Sequence, residues 1–137
     1  MNFFKIKKNR NILKKHWKID RKCLDMIFES SKSIFPNEFG GLLRVDDNKD
    51  TIVELILLPG TISGETHTIF KMHMMPVAFS IIGTVHSHPS FSVNPSNSDK
   101  ILFQKYGKIH IITAYPFDNK SWGAYDNLGS SIEIEII

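Results

Sequence analysis

Ile81-Ile82-Gly83-Thr84-Val85-His86-Ser87-His88-Pro89, continued through Ser90-Phe91-Ser92-Val93-Asn94-Pro95 to Ser96-Asn97-Ser98-Asp99, decides how this chain is read. Ile81 to Val85 is a short apolar run of the kind seen in buried strands, and it leads directly into the histidines. Side chains alternate faces along a strand, so His86 and His88 point the same way, with Cα atoms about 6.6 Å apart. Pro89 lacks a backbone donor and ends ladder pairing, which places the pair at a strand end. Ser90 to Pro95 reads as a loop. Ser96-x-x-Asp99 then has the spacing of a capping box, opening a helix over about Asn97 to Tyr106 and fixing Asp99 on its first turn. Two neutral imidazoles and one carboxylate, with a fourth position left to water, are the ligand set of a catalytic zinc site. Each piece alone has a plainer meaning: His-x-His as surface histidines, Ser-x-x-Asp as a helix start. The specific signal is the whole string.

Outward from this stretch the chain alternates elements. Asp20 reads as the N-cap of a helix to about Ser33, with Leu24, Ile27, Phe28 and Ile34 at helical spacing and Pro36 preventing continuation. Phe39 to Val45 and Thr51 to Leu58 form a hairpin across the turn formers Asp46 to Asp50. Thr66 to Lys71 reads as a further strand, and Met72 to Ser80 is ambiguous between loop and short helix. Ile109 to Tyr115, Ser121 to Tyr125 and Ser131 to Ile137 give three more strands. The expected class is mixed α/β (α+β), in one domain over 1–137, with 1–19 as either a basic arm or an edge strand.

Composition narrows the function. The 137 residues fit one core, and an apolar fraction of 42% is ordinary for a folded globular chain. No apolar stretch approaches the roughly 18 residues of a membrane span, so no membrane crossing is expected. Met1 to Arg10 lacks the apolar core and cleavage site of a secretory signal, which points to the cytoplasm. Cys23 is the only cysteine, excluding an internal disulfide and any thiolate-rich zinc site. Any metal must therefore use His and carboxylate. Residues 1 to 22 hold nine Lys or Arg and one Asp, whereas the remainder holds eight against thirteen acids. The basic segment is read as a solvated face, and nucleic acid is not an expected partner.

The residues alone leave the proton carrier open, since Glu29, Glu38, Glu54 and Glu65 all precede the histidines. His67, His73 and His110 lack ligand spacing to His86. His67 and His73 are assigned to polar-face and loop positions, and His110 to a solvent-facing or hydrogen-bonded strand position. The Met72, Met74 and Met75 cluster, Trp122 and Tyr125 are assigned to packing.

The string His86-x-His88-Pro89, six residues, Ser96-x-x-Asp99 resembles the signature of the JAMM/MPN+ metalloproteases. Pro36-Asn37-Glu38-Phe39-Gly40-Gly41-Leu42-Leu43 is similar to that family's Glu-bearing segment. Gly107 to Ile112 and Ser121-Trp122 look like its small archaeal members, so the likeness covers roughly residues 20 to 137. The resemblance implies a cytidine-deaminase-like mixed sheet flanked by helices. It implies one Zn2+ with a bound water on His86, His88 and Asp99, with Glu38 as acid/base and Ser96 as oxyanion donor. The implied substrate is a ubiquitin-like or sulfur-carrier protein cut after its C-terminal glycine. The alternative is a catalytically silent scaffold on the same fold. A nucleoside deaminase is excluded by the missing Pro-Cys-x-x-Cys ligands, and a thermolysin-like enzyme by the missing His-Glu-x-x-His.

Overall fold

In the computed structural model, residues 15–57 and 80–137 are described. The expected strand over 66–71, the segment 72–79, Glu65, His67 and His73 lie outside them, as do residues 1–14 of the basic segment. Strand β1 (Trp17–Ile19) leads into helix α1 (Arg21–Ile34), followed by β2 (Gly40–Val45) and β3 (Thr51–Leu57). Then come β4 (Ile81–His88), helix α2 (Asn97–Lys105) and β5 (Ile109–Ala114). Strands β6 (Trp122–Tyr125), β7 (Ser131–Ile132) and β8 (Ile134–Ile136) complete the order. The class is mixed α/β, as the alternating pattern implies.

Helix α1 starts where the Asp20 carboxylate accepts the Lys22 amide at 3.0 Å, satisfying one of the unpaired donors of the first turn. Cys23, Leu24, Ile27, Phe28 and Ser31 make its buried stripe, the spacing that aligns side chains on one helical face. Burial, with the Asp20 charge nearby, pushes the Cys23 thiol up to about 12, so it stays protonated and packs as an apolar group. Phe35 is already extended, as a residue before proline prefers, and the helix ends there.

The eight strands of the described residues form one sheet in the order β7-β6-β5-β4-β2-β3-β1-β8. Helix α1 packs on one face over Ile19, Leu43, Ile52, Val85 and Ile111, while α2 covers the other through Phe103, against Ile112 and Tyr125. Strands β4 and β5 run parallel with α2 as their crossover, and β2 runs antiparallel on the other side of β4. This puts β4, which carries the histidines, in the middle. Two glycines allow the close approach where β4 and β5 begin. A Cβ on Gly83 would lie 1.6 Å from the Ile109 carbonyl oxygen, and one on Gly107, at φ +116, would lie 2.2 Å from that of Ile82.

Strand β4 runs through His88 and stops before Pro89, as expected, and β5 pairs with it as far as His88↔Ala114. Two features differ from the sequence reading. The single terminal strand expected over Ser131 to Ile137 is divided. Ser131–Ile132 pairs with β6, and Ile134–Ile136 pairs with β1, with Glu133 alone between them. Since one residue spans only about 7 Å between its neighbours' Cα atoms, the two ends of the strand order must meet, and the sheet is rolled. Finally, Trp17–Ile19 lies between β3 and β8, parallel to both, rather than at an edge. Three residues carry too little periodicity to show this in sequence.

Candidate metal centre

His86 and His88 end β4 on the face covered by α2. The loop that follows is tied down at three points. The Tyr125 hydroxyl donates to the Val93 carbonyl at 2.6 Å, the Tyr115 amide donates to the Ser90 carbonyl at 2.9 Å, and His88 Nδ1 lies 2.9 Å from the Ser92 carbonyl. That last contact requires the Nδ1 proton, which leaves His88 Nε2 with a free lone pair when the ring is neutral. Sequence reading had given Tyr125 only a packing role. Its hydroxyl reaches the loop because antiparallel pairing with β5 sets β6 beside the site, a long-range fact with no local signal.

Beyond the loop, the Ser96 hydroxyl accepts the Asp99 amide at 3.0 Å, and the Ser96 amide donates to Asp99 Oδ2 at 2.9 Å. The capping box therefore forms, and it orients the Asp99 carboxylate as well as starting the helix. Asp99 and Phe103 are the two buried residues of α2, four apart and hence on one face. Phe103 stacks on His110 with centroids 4.3 Å apart and lies 6.4 Å from the His86 ring. The helix is thereby seated with Asp99 over the histidine pair.

The ligand atoms of His86, His88 and Asp99 lie within 4.8 Å of one another. The two Nε2 atoms are 3.2 Å apart, His86 Nε2 is 3.1 Å from Asp99 Oδ1, and His88 Nε2 is 3.1 Å from Asp99 Oδ2. Metal bonds of about 2.0 Å arranged tetrahedrally require donors about 3.3 Å apart, so these residues fit a zinc ion with little rearrangement. His86 is fully buried and Asp99 nearly so. Burial pushes the Asp99 carboxyl up, but its bonds to His86 and His88 and the Ser96 amide outweigh this and hold it well below the usual carboxylate range. Burial also opposes charge on His88, yet its bond to Asp99 and to the Ser92 carbonyl, with the charges of Asp99 and Glu38, raises its pKa overall. The site is thus electronegative and prepared for a cation.

Glu38 lies two residues before β2, whose first pair with β4 is Gly40↔His86, and it is close enough to the site for its charge to contribute to raising the His88 pKa. Of the other carboxylates, Glu29 pairs with Lys32 on the exposed side of α1 and Glu54 pairs with Arg44. Among the described residues no second cluster of His, Cys, Asp and Glu has metal-holding geometry.

His110 is not a ligand. It is fully buried, with Nδ1 2.7 Å from the Thr84 hydroxyl and Nε2 3.1 Å from the Gly107 carbonyl. Hydrogen bonding, one of the two roles expected of it, is what the fold provides. Burial lowers its pKa from 6.5 to about 4, so the folded protein keeps it neutral where the unfolded chain would protonate it. Its stabilisation is complete above about pH 6.5 and is lost as pH falls toward 4, by at most about 3 kcal/mol. Urea unfolding at pH 7 and pH 5 should show a smaller loss for His110→Gln than for the parent. Equal losses would remove His110 from the acid response.

Among the described residues, a rolled mixed sheet with one helix on each face ends its central strand in two imidazoles beside a helix-borne carboxylate, the ligand set of a catalytic metal site. Residues 20–125 match the family described as prokaryotic homologs of the JAB domain. The chain belongs to this family, the JAMM/MPN family. It is 30% identical over 123 residues to a probable metalloprotease of Haloferax volcanii, covering 84% of this chain and 76% of the relative. A JAB1/MPN domain protein from Archaeoglobus fulgidus superposes with a TM-score of 0.71 at 40% identity, over 88% of this chain and 98% of that one. A structure presented as a JAMM metalloprotease-like zinc site in the proteasome and signalosome superposes with a TM-score of 0.70 at 39% identity, over 89% and 98%. No described helix is long and apolar enough to cross a membrane.

Proposed function

We propose that this chain is a zinc isopeptidase that hydrolyses the amide bond after the C-terminal glycine of a ubiquitin-like or sulfur-carrier protein. The observation that carries the reading is the convergence of His86, His88 and Asp99, with the charge of Glu38 near enough to act on His88. His86 Nε2, His88 Nε2 and an Asp99 carboxylate oxygen would hold the ion. Zinc, when bound, supplies Lewis acidity and lowers the pKa of a coordinated water toward about 7. Glu38 takes the proton of the attacking water on a carboxylate oxygen and passes it to the departing lysine amine, the two transfers amide hydrolysis needs. The Ser96 hydroxyl accepts from the Asp99 amide, which leaves its own proton free to donate to the carbonyl oxygen as that atom becomes negative.

The substrate class rests on the family resemblance, and the complete set of five polar residues weighs against a silent scaffold. A cytoplasmic location is part of the same reading, supported by a single protonated thiol at Cys23. The test is elemental analysis of protein purified without added metal, followed by assay on a modifier joined to lysine. About one zinc per chain is expected, with cleavage stopped by chelator and regained on adding zinc. Metal-free, inactive protein would sink the proposal.

A further inference from the structure

Ser87, between the two histidines, has no role in the chemistry above, yet it is 1% exposed and makes an unusual contact. Its amide donates to the Phe39 carbonyl at 2.9 Å, as a regular antiparallel pair requires. The reciprocal bond goes elsewhere: the Phe39 amide donates to the Ser87 hydroxyl oxygen at 2.7 Å, in the place a backbone carbonyl would take. Phe39 is 3% exposed, so this amide has no ready exchange of partner for bulk water. Glu38 is the next residue. On its other side, Asn37 is held by a bond from its amide to the Ile34 carbonyl at 2.8 Å. The backbone of Glu38 is therefore held between a turn at the end of α1 and a two-bond clamp at Phe39. One half of that clamp is a side chain on the strand that also carries both histidines.

We infer that Ser87 is a positioning residue, whose hydroxyl fixes the distance between the Glu38 carboxylate and the metal centre by anchoring the Phe39 amide. The inference rests on the proposed role of Glu38, but the clamp is observable without catalysis. Any other small residue at 87 leaves the histidines in place on β4, where the ladder with β5 holds them through Val85↔Ile111, His86↔Ile112 and His88↔Ala114. What is lost is the tie across to β2. A misplacement of about 1 Å at a reacting group costs on the order of 100-fold in rate.

Ser87→Ala removes the hydroxyl, and Ser87→Thr keeps it. In zinc-loaded Ser87→Ala, the Phe39 amide should exchange with solvent deuterium at least about tenfold faster than in the parent, as expected when a buried donor loses its acceptor. Zinc content and KM should stay at the parent's values while kcat falls about 10- to 100-fold. Ser87→Thr should restore both amide protection and kcat. Unchanged exchange at Phe39 in Ser87→Ala overturns the clamp, whatever the activity. Faster exchange with an unchanged kcat, or a loss of kcat that follows loss of zinc, overturns the positioning role. If the parent itself cleaves no modifier linkage, the proposed function fails. The clamp is then decided by the exchange rates and by whether crystals of the zinc-loaded Ala variant, and not the Thr variant, show the Glu38 carboxylate displaced from His88.

Discussion

Glu38→Gln should leave the protein folded and zinc-loaded while lowering kcat by about 100- to 10,000-fold, the range supplied by a positioned general acid/base. Gln keeps the volume and a carbonyl oxygen but cannot take a proton from water, so a proton-transfer role and a merely polar one separate cleanly. The expectation follows from proximity: Glu38 lies just before β2, the neighbour of β4, and its charge contributes to raising the His88 pKa. Glu29→Gln and Glu54→Gln are the controls, since these carboxylates pair with Lys32 and Arg44 away from the centre. Both should retain parental kcat. Zinc analysis and steady-state kinetics on the three variants decide the matter. A Glu38→Gln enzyme at parental rate would show that another group moves the proton.

Asp99→Asn should release the metal while keeping the helix. The carboxylate has two separable duties, accepting the Ser96 amide at 2.9 Å and facing both imidazoles at 3.1 Å. Asn retains an oxygen for the first duty but brings no negative charge to the second. Removing an outer partner of a metal ligand already costs about 10- to 100-fold in affinity, and a ligand should cost more. Zinc per chain should therefore drop from about one to near zero after dialysis. Loss of the charge at the start of α2 costs about 0.3–1 kcal/mol of stability. Asp99→Ala removes the acceptor too, and should unfold about 1 kcal/mol more readily than the Asn variant in urea. Full zinc retention by Asp99→Asn would show that the two histidines bind without the carboxylate.

Most of the candidate site could be read before any coordinates, because its determinants are local. Strand alternation aligns His86 with His88, Pro89 ends the strand, and Ser96-x-x-Asp99 starts a helix wherever it occurs before a helical stretch. The helix after Asp20 and the hairpin around Asp46 to Asp50 were legible for the same reason: caps and turn formers act within a few residues. Glu38 was different. Nothing near it separates it from Glu29 or Glu54, and only the family pattern singled it out.

Where local signals stop, pairing across the sheet takes over. Ser131 to Ile137 looks like one strand because its alternation is continuous, yet the strand passes from β6 to β1 at Glu133, since a rolled sheet brings its two ends together there. Tyr125 reaching Val93, and Ser87 reaching Phe39, depend on partners 32 and 48 residues away. The sequence alone thus determined the ligand types, their spacing and the elements that bear them, because helix and strand periods are short-range properties of the backbone. The tertiary structure alone decided what ties the segment that bears Glu38 to the strand that bears the histidines. Register between β2 and β4 is a long-range choice, made by burying one face of each strand, and no window of sequence contains it.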